Sequence, residues 1–359
     1  MRNPADARRL AVLGALLLAP LLCAGETPQR SSERELLITF LHINDVHGQI
    51  VPWVRDGRDS GGYARLATAV GKIRAAGEAK RCFLIHAGDE FSVKATLPQT
   101  PGTELTTRTK GEANIAVLNA LRFDVWVPGN GEFYNGLQSI QARIREAQCC
   151  VLAANLTVKE SGQPLAKTFV IEQAGPVKVA FFGLCWVRPE TLTSVPLTLA
   201  DAVETAKKLA PELRRQADVV VAVTHIGLGN DRKLAAAVDG LDLIVGAHSH
   251  DVLPKGELAP TPSGRKTLLC QAGECLQYLG RVDMRLALKD GKWQVAGTTA
   301  QLIRLEETVV PDDATAKLIE SLKSGRAKAG AAATTPRLSP GGAPPVEQPA
   351  PAKTQVPAK

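Results

Sequence analysis

The sequence predicts a layered α/β fold with an antiparallel portion near its end, and three observations support this prediction. Short apolar runs alternate with stretches of helical periodicity from about residue 35 to residue 322. Two long apolar-rich stretches then flank Asp290-Gly291, a pair that favours a tight hairpin turn. Polar side chains suited to metal binding follow the ends of several apolar runs, which is where ligand sites form in open α/β sheets.

The alternation assigns the elements in chain order. A strand at residues 36–43 precedes a helix at 61–76, in which Leu66, Val70 and Ile73 share one face. Gly175-Pro176 predicts the turn between two paired strands. We expect the other strands at residues 82–85, 124–127, 149–153, 169–171, 177–184, 218–223, 241–245, 266–270, 278–288 and 293–303. We expect the other helices at residues 113–121, 138–147, 199–216, 231–238 and 313–322.

The two ends of the chain differ in composition from the residues between them. Three arginines precede an apolar run at residues 10–22, which is typical of a secretory signal peptide and too short to span a membrane. We therefore predict a signal peptide at 1–24, a globular domain at 33–324 and a disordered tail rich in Pro, Ala and Lys at 325–359. The signal peptide predicts a periplasmic or secreted protein, with the twin-arginine route as an option because of Arg8-Arg9.

The net charge of +7 argues less for a nucleic-acid partner than it first suggests. Residues 1–24 contribute +2 and residues 325–359 contribute +4, which leaves +1 for the residues between them. The globular part is therefore not basic, and we expect no nucleic-acid binding through charge. The sequence leaves the oligomeric state open.

Removal of residues 1–24 would leave six cysteines. An oxidising compartment would permit disulfides between them. Most of them lie in apolar runs, however, and this favours buried thiols that act as small apolar side chains. No CxxC pair suggests a structural zinc site.

Four of the six histidines lie in three short motifs, Asp45-Val46-His47-Gly48, Thr224-His225-Ile226-Gly227 and Gly246-Ala247-His248-Ser249-His250. Gly88-Asp89 and Gly129-Asn130 follow two further strands. Each motif alone is compatible with an ordinary turn. Together they supply carboxylate and amide oxygens and imidazole nitrogens, which suit a pair of divalent cations. Such a pair can activate water and hold a phosphoryl group.

This ordered set resembles the calcineurin-like metallophosphoesterases, and more closely the catalytic domain of the 5′-nucleotidase and UDP-sugar hydrolase family. The matching segments read LHINDVHGQI, GGYARLAT, HAGDEFS, LNALRFDVWVPGNGEF, VVVAVTHIGLGND and LDLIVGAHSHDV. The resemblance implies a four-layer α/β/β/α sandwich and two divalent metal ions. Mn, Zn, Co and Fe are all compatible with the mixed nitrogen and oxygen ligands.

The resemblance also implies which residues bind each ion. One metal would be bound by Asp45, His47, Asp89 and His250, and the other by Asp89, Asn130, His225 and His248. Asp89 would bridge the two ions. The resemblance places Asp89 and Asn130 in catalysis as well.

Two departures from the family separate this chain from its relatives. Where the family has a histidine after the asparagine, and an aspartate that orients it, this chain has Gly131 and Tyr134. The family histidine stabilises charge in the transition state, and losing one such donor typically costs about 10²- to 10³-fold in rate. We expect His86 to orient a ligand, with proton donation as the alternative. We also expect the family's second domain, which grips the nucleotide base, to be missing after residue 322.

The sequence therefore predicts an exported hydrolase with two metal ions that acts on a phosphomonoester, either a nucleotide or a similar small phosphate. Gly131 and Tyr134 motivate one alternative, a weakly active or inactive metal-binding pseudoenzyme. A relative of the thiosulfohydrolases, which act on sulfur-bonded substrates, is the other. The substrate, the metal bound in the cell, any disulfide pairing and the role of the tail remain open.

Overall fold

The computed structural model describes residues 35–55, 57–93 and 99–326. The predicted signal peptide lies outside these residues, as does nearly all of the predicted tail. Within the described part of the chain, no helix is both long enough and apolar enough to cross a membrane.

The described residues form strands, α-helices and one short 3-10 helix at Gly131–Phe133. The strands are β1 Glu35–Ile43, β2 Trp53–Arg55, β3 Arg58–Ser60, β4 Arg81–His86, β5 Val125–Trp126, β6 Cys150–Val151, β7 Leu156–Val158, β8 Phe169–Ala174, β9 Val177–Cys185, β10 Leu197–Leu199, β11 Val219–His225, β12 Leu243–Val245, β13 Glu257–Pro260, β14 Lys266–Cys270, β15 Tyr278–Lys289 and β16 Lys292–Arg304. The helices are α1 Tyr63–Ala76, α2 Pro101–Thr109, α3 Glu112–Leu121, α4 Leu137–Glu146, α5 Pro189–Ser194, α6 Ala202–Gln216, α7 Leu228–Ala237 and α8 Asp313–Lys323.

The first sheet contains six strands in the order β16-β15-β1-β4-β5-β6. β1, β4, β5 and β6 run parallel to one another, whereas β15 pairs antiparallel with both β1 and β16. The β15–β16 hairpin turns at Asp290 and Gly291, as the sequence predicts, and both residues have positive φ angles of 49° and 74°. The parallel strands end at a common edge, which gathers the loops that follow them.

The second sheet has the order β13-β14-β12-β11-β9-β8, with β14, β12, β11 and β9 parallel. Successive residues of β9 point to opposite faces of this sheet, and both faces are buried. Phe181 lies 6.2 Å from Phe40 and 5.0 Å from Phe83 of the first sheet, measured between ring centroids. Phe182 belongs instead to the apolar cluster that includes α6. The two sheets therefore face each other, with helices behind the second sheet.

Helices cover the outer face of the first sheet as well. Leu66 of α1, Ile115 of α3, Ile140 of α4 and Ile319 of α8 join the larger apolar cluster, which also contains Leu84 of β4, on the face opposite to Phe83. The resulting order of layers is α/β/β/α, and the fold class expected from the sequence is confirmed.

The structure corrects the predicted elements at several places. Leu199, expected to begin a helix, ends β10, and α6 starts after Asp201, whose carboxylate accepts the Glu204 N–H. α7 begins at Leu228 rather than at 231. The helix α2 was missed, although Thr100 and Thr103 form a capping box at its start. The elements β2, β3, β7, β10, β13 and α5 were also missed, because they are too short to show a period.

The six cysteines of the described residues form no disulfide. Cys149, Cys185, Cys270 and Cys275 are buried, whereas Cys82 and Cys150 are half-buried. This agrees with the expectation that these residues pack as small apolar side chains.

Candidate metal centre

The predicted ligands lie at one edge of the two sheets, in the loops there and at the end of one strand. The first sheet supplies four of them, in the loops that follow β1, β4 and β5: Asp45, His47, Asp89 and Asn130. The second sheet supplies three, at the end of β11 and in the loop after β12: His225, His248 and His250. Each sheet therefore contributes part of a single site.

Five of the seven predicted ligands have a left-handed backbone. Positive φ angles of 50–79° occur at Asp45, His47, Asp89, His248 and His250. A residue with a side chain seldom adopts this conformation, which costs on the order of 1–3 kcal/mol and persists only where the surroundings enforce it. Backbone bonds do so here, because the N–H groups of Asp45 and His47 donate to the carbonyls of Gly88 and Asp89.

Two groups of ligand atoms converge closely enough for each to hold a cation. In one, His250 Nε2 lies 3.2 Å from both His47 Nε2 and Asp45 Oδ1. In the other, His225 Nε2 lies 3.5 Å from Asp89 Oδ1 and 4.0 Å from Asp45 Oδ1. Ligands bonded to one cation at about 2.1 Å lie at comparable distances from one another. Asp45 belongs to both groups, whereas the family resemblance gives the shared position to Asp89.

The other two predicted ligands lie beside these groups. His248 and Asn130 line a cavity of about 360 Å³ together with His47, Asp89, Ser92, Val93, Tyr134, Arg188 and His250. The His248 ring centroid lies 5.2 Å from that of His225, and its backbone N–H donates to Asp45 Oδ2. Five of the seven residues thus line one cavity, and the other two, Asp45 and His225, lie behind it within ligand distance of His250 and Asp89.

Three imidazole rings are each fixed through Nδ1, which leaves Nε2 directed at the site. His47 Nδ1 lies 2.9 Å from the Ser92 carbonyl, and His225 Nδ1 lies 2.8 Å from the Ala87 carbonyl. His250 Nδ1 lies 3.0 Å from Glu274 Oε2. When Nδ1–H donates to such an acceptor, Nε2 carries a lone pair, and this is the usual arrangement for histidines that bind metals.

A divalent cation fits the donor set that these residues present. Asp45 Oδ1, Asn130 Oδ1 and His225 Nε2 are buried and have no hydrogen-bond partner in the described residues. Unpartnered buried polar atoms are rare because each costs desolvation free energy. Two carboxylates, a carboxamide oxygen and imidazole nitrogens at one edge are ligands of the kind that first-row divalent metals accept.

Glu132 locks together two of the loops that carry ligands, and the sequence analysis did not identify it. One carboxylate oxygen accepts the N–H groups of Asp89 and Gly129, and the other accepts those of Glu90 and Phe91. The four donated hydrogen bonds favour the ionised carboxylate, but burial and then the charge of Asp89 outweigh them and raise the pKa of Glu132 to about 8. Glu132 thereby fixes the positions of Asp89 and Asn130 relative to each other.

The ionisable groups of the site influence one another strongly. Although burial opposes its charged form, the pKa of His225 is raised to about 10 by Asp89 and Asp45. Burial, followed by the charge of His225, lowers the pKa of His248 to about 4. Burial alone would raise the pKa of Asp89, but the neighbouring His225, His47 and Gly131 N–H hold it below its usual range. A cation beside the two carboxylates would take the place of the His225 proton.

The space above Gly131 is filled by another side chain. A β-carbon at position 131 would overlap Ser92 Cβ and Oγ. Ser92 Oγ also lies 2.9 Å from His47 Nδ1, so Ser92 is held against a predicted ligand. Gly131 therefore contributes its backbone alone, and its N–H donates to Asp89 Oδ1 at 2.7 Å.

The two remaining histidines lie outside the cavity. His86 is buried, with Nδ1 accepting the Gly88 N–H at 2.9 Å and Nε2 bonded to Glu90 Oε2 at 2.6 Å. Both ring nitrogens are engaged by residues that flank Asp89, and the expected role of His86 in orienting a ligand stays a prediction. His42 is buried in β1, and its burial lowers its pKa to about 4.

Sequence comparisons place the chain among phosphoesterases. The family model for calcineurin-like phosphoesterases matches residues 38–252. The snake venom 5′-nucleotidase of Naja atra is 28% identical over 316 residues, which cover 80% of this chain and 56% of that protein. The chain thus spans about half the length of the curated relatives it matches.

Solved structures support the same fold. A 5′-nucleotidase precursor from Thermus thermophilus matches with a TM-score of 0.70 and 23% identity, over 81% of this chain and 59% of that one. The sulfate thiohydrolase SoxB of Thermus thermophilus matches with a TM-score of 0.67 and 19% identity, over 80% of this chain and 60% of that one. Identities this low establish a shared fold and do not distinguish the two reactions.

Proposed function

Because the chain belongs to the calcineurin-like phosphoesterase family of metal-dependent phosphoester hydrolases, we propose that it hydrolyses small phosphomonoesters with two divalent cations. Its relatives belong to the 5′-nucleotidase branch, so nucleotides or similar small phosphates are the proposed substrates. The main support comes from buried polar atoms of Asp45, Asn130 and His225 that have no hydrogen-bond partner in the described residues. Asn130 lines the cavity, and Asp45 and His225 belong to the groups that could hold a cation beside it.

The proposed ligand sets follow the geometry of the site. His47, His250 and Asp45 would hold one cation, and His225 and Asp89 the other. Asn130 and His248 are proposed as further ligands of the second cation. Asp89 remains the proposed bridging ligand and Asp45 Oδ1, central to both groups, is a second candidate. Two cations held here would supply the Lewis acidity that promotes attack of water on phosphorus.

The protein residues prepare this chemistry. The Nδ1 anchors of His47, His225 and His250 fix three imidazole rings before a metal arrives. The Glu132 carboxylate fixes the loops of Asp89 and Asn130. The cavity of about 360 Å³ is large enough for a phosphate group and part of its leaving group.

We further propose that the protein is exported and acts in the periplasm or outside the cell. The support is the composition of residues 1–24, with arginines ahead of a short apolar run. The similar 5′-nucleotidase of Naja atra is a snake venom protein, and this agrees with the proposed location.

A second candidate function is metal binding without turnover. It is favoured by one observation, the absence of a side chain at Gly131, where Ser92 occupies the space that a histidine would need. In that case the site would bind metal and a phosphate-like anion but would lack charge stabilisation in the transition state.

The deciding experiment is an assay of the purified protein with Mn²⁺ or Zn²⁺ on an aryl phosphate, AMP and a cyclic nucleotide. We expect metal-dependent turnover of at least one monoester, with about two metal ions per chain by elemental analysis. Asp89→Asn should abolish turnover, because it removes a charge from the ligand set. Asp239→Asn serves as the control, since exposed Asp239 accepts hydrogen bonds from Ser263 and does not line the cavity.

The assay and the metal analysis together distinguish hydrolysis from metal binding without turnover. Two bound metals with no turnover of any substrate would favour the binding function. A protein that binds no metal after export would contradict both candidates.

A further inference from the structure

The Tyr134 hydroxyl has a hydrogen-bond arrangement that leaves its own proton available. Asn130 Nδ2 donates to Tyr134 Oη at 2.8 Å, and Arg188 Nε donates to the same oxygen at 3.0 Å. Both partners can only donate through these atoms, so the phenolic oxygen acts as an acceptor twice. The hydroxyl hydrogen then has no acceptor among the described residues. Tyr134 is 53% exposed and lines the cavity, so a bound anion can reach this hydrogen.

Arg188 offers further donors at the same wall. Its Nε is engaged by Tyr134, while the structure gives its Nη groups no partner among the described residues. The guanidinium lies 5.9 Å from the centroid of the Trp186 ring, and Trp186 in turn lies 4.7 Å from the His248 ring. These contacts hold a planar, permanently charged fork beside the predicted ligands.

Position 131 cannot supply the charge-stabilising donor that the relatives place there. Ser92 fills the space above Gly131 and is itself bonded to His47. A donor for the phosphoryl group must therefore come from another part of the cavity wall. Among the residues that line the cavity and are not proposed metal ligands, Tyr134 and Arg188 carry the strongest donors.

We infer that Tyr134 and Arg188 form the anion-binding pair of this site, with the Tyr134 hydroxyl and the Arg188 Nη groups donating to oxygens of the phosphoryl group. The inference rests on the proposed function. A guanidinium and a hydroxyl together provide charge-assisted hydrogen bonds that strengthen as charge develops on those oxygens. Tyr134 also orients the side chain of Asn130, whose Oδ1 is buried without a hydrogen-bond partner in the described residues.

The test compares four single variants of the full chain loaded with Mn²⁺. Tyr134→Phe and Arg188→Gln remove the proposed donors. Tyr278→Phe and Arg304→Gln are matched controls, since Arg304 likewise donates to the Tyr278 hydroxyl and neither residue lines the cavity. Turnover of an aryl phosphate, binding of inorganic phosphate by calorimetry, and metal content are measured for each.

We expect Tyr134→Phe and Arg188→Gln to lower kcat/KM by about 10- to 100-fold, somewhat below the cost of losing a fully buried oxyanion donor. Arg188→Gln should also weaken phosphate binding about tenfold or more, while metal content stays near that of the wild type. The two control variants should match the wild type in all three measurements.

Several results would overturn the inference. If the wild type turns over and both site variants keep its kcat/KM and phosphate affinity, the pair has no such role and the proposed function stands. If Tyr134→Phe and Arg188→Gln lose metal in proportion to activity, the pair only positions Asn130. If the wild type neither hydrolyses a monoester nor binds phosphate, the proposed function fails, and the inference fails with it.

Discussion

At the scale of single residues, the site depends on side chains that hold the proposed metal ligands in position. His250 is the most exposed of the anchored imidazoles, and its ring is held through Nδ1 by the Glu274 carboxylate. Glu274 lies beside Cys275 and Leu276, two further residues with left-handed backbone. The segment that carries this anchor is therefore held in an unusual conformation, as the ligand loops are.

We predict that Glu274→Ala weakens metal binding at the His47–His250 group by about 10- to 100-fold, because His250 loses the partner that fixes its ring and tautomer. Metal titration followed by calorimetry would measure this change. Glu257→Ala, which breaks an exposed ion pair with Arg232, is the control and should leave the metal affinity unchanged. An unchanged affinity for Glu274→Ala would show that His250 is positioned by its backbone alone.

Gly131→His provides a second prediction at this scale. Restoring the family histidine should not raise activity, because its β-carbon would overlap Ser92, which is bonded to His47. Overpacking of this kind typically destabilises a protein by about 1–3 kcal/mol. Urea denaturation should show this loss, and Ser92→Gly in the same chain should recover part of it. A stable single variant with raised kcat would mean that Ser92 moves aside at little cost.

At the scale of the elements, parallel strands explain why the sequence predicted so much of the site. Residues after β1, β4, β5 and β12, and at the end of β11, were expected at one edge from strand order alone, and they lie there. Asp45 and His47 carried a local signal, since polar residues beside Gly48 follow an apolar strand.

The residues that support the ligands could not be predicted in the same way. Glu274 lies more than twenty residues along the chain from His250, and Ser92 fills space above Gly131 from a different loop. Their roles arise from packing between loops, which leaves no period in the sequence. Glu132 had a weak signal, an acidic residue in a buried segment two residues after Asn130.

Glu132 supports a prediction about how these loops hold together. In Glu132→Gln, one carboxylate oxygen becomes an NH₂ group, which cannot accept a hydrogen bond. The two backbone N–H groups that donate to that oxygen would lose their acceptor. Leaving buried donors unsatisfied costs about 1–3 kcal/mol each, so we expect a loss of roughly 3 kcal/mol in the free energy of unfolding. Chemical denaturation of the metal-free protein would measure it, with the exposed Glu212→Gln as control. A loss below about 0.5 kcal/mol would mean that these loops are held by other contacts.

At the scale of the whole molecule, the ligands divide between the two sheets. Asp45, His47, Asp89 and Asn130 come from the first sheet, and His225, His248 and His250 come from the second. Each group of ligand atoms that could hold a cation combines residues of both sheets, so a bound cation would link the two sheets at their common edge. Metal binding should consequently stabilise the whole sandwich, by an amount that grows with the free metal concentration.

Metal binding should also release a proton, because His225 must be neutral to act as a ligand. Its pKa is raised to about 10 in the absence of a cation, since Asp89 and Asp45 outweigh the opposing effect of burial. Below pH 10 the metal-free site therefore carries this proton, whereas His248, with a pKa of about 4, is already neutral at pH 7. We expect about one proton released per chain at pH 7, and an apparent Kd for metal that falls about tenfold for each pH unit gained.

Calorimetric titration in two buffers of different ionisation enthalpy would count the protons. His42→Gln is the control, because His42 is buried in β1 away from the cavity and is also neutral at pH 7. A metal affinity independent of pH between 6 and 8 would show that His225 is already neutral in the metal-free protein, and that the two carboxylates do not hold a proton on it.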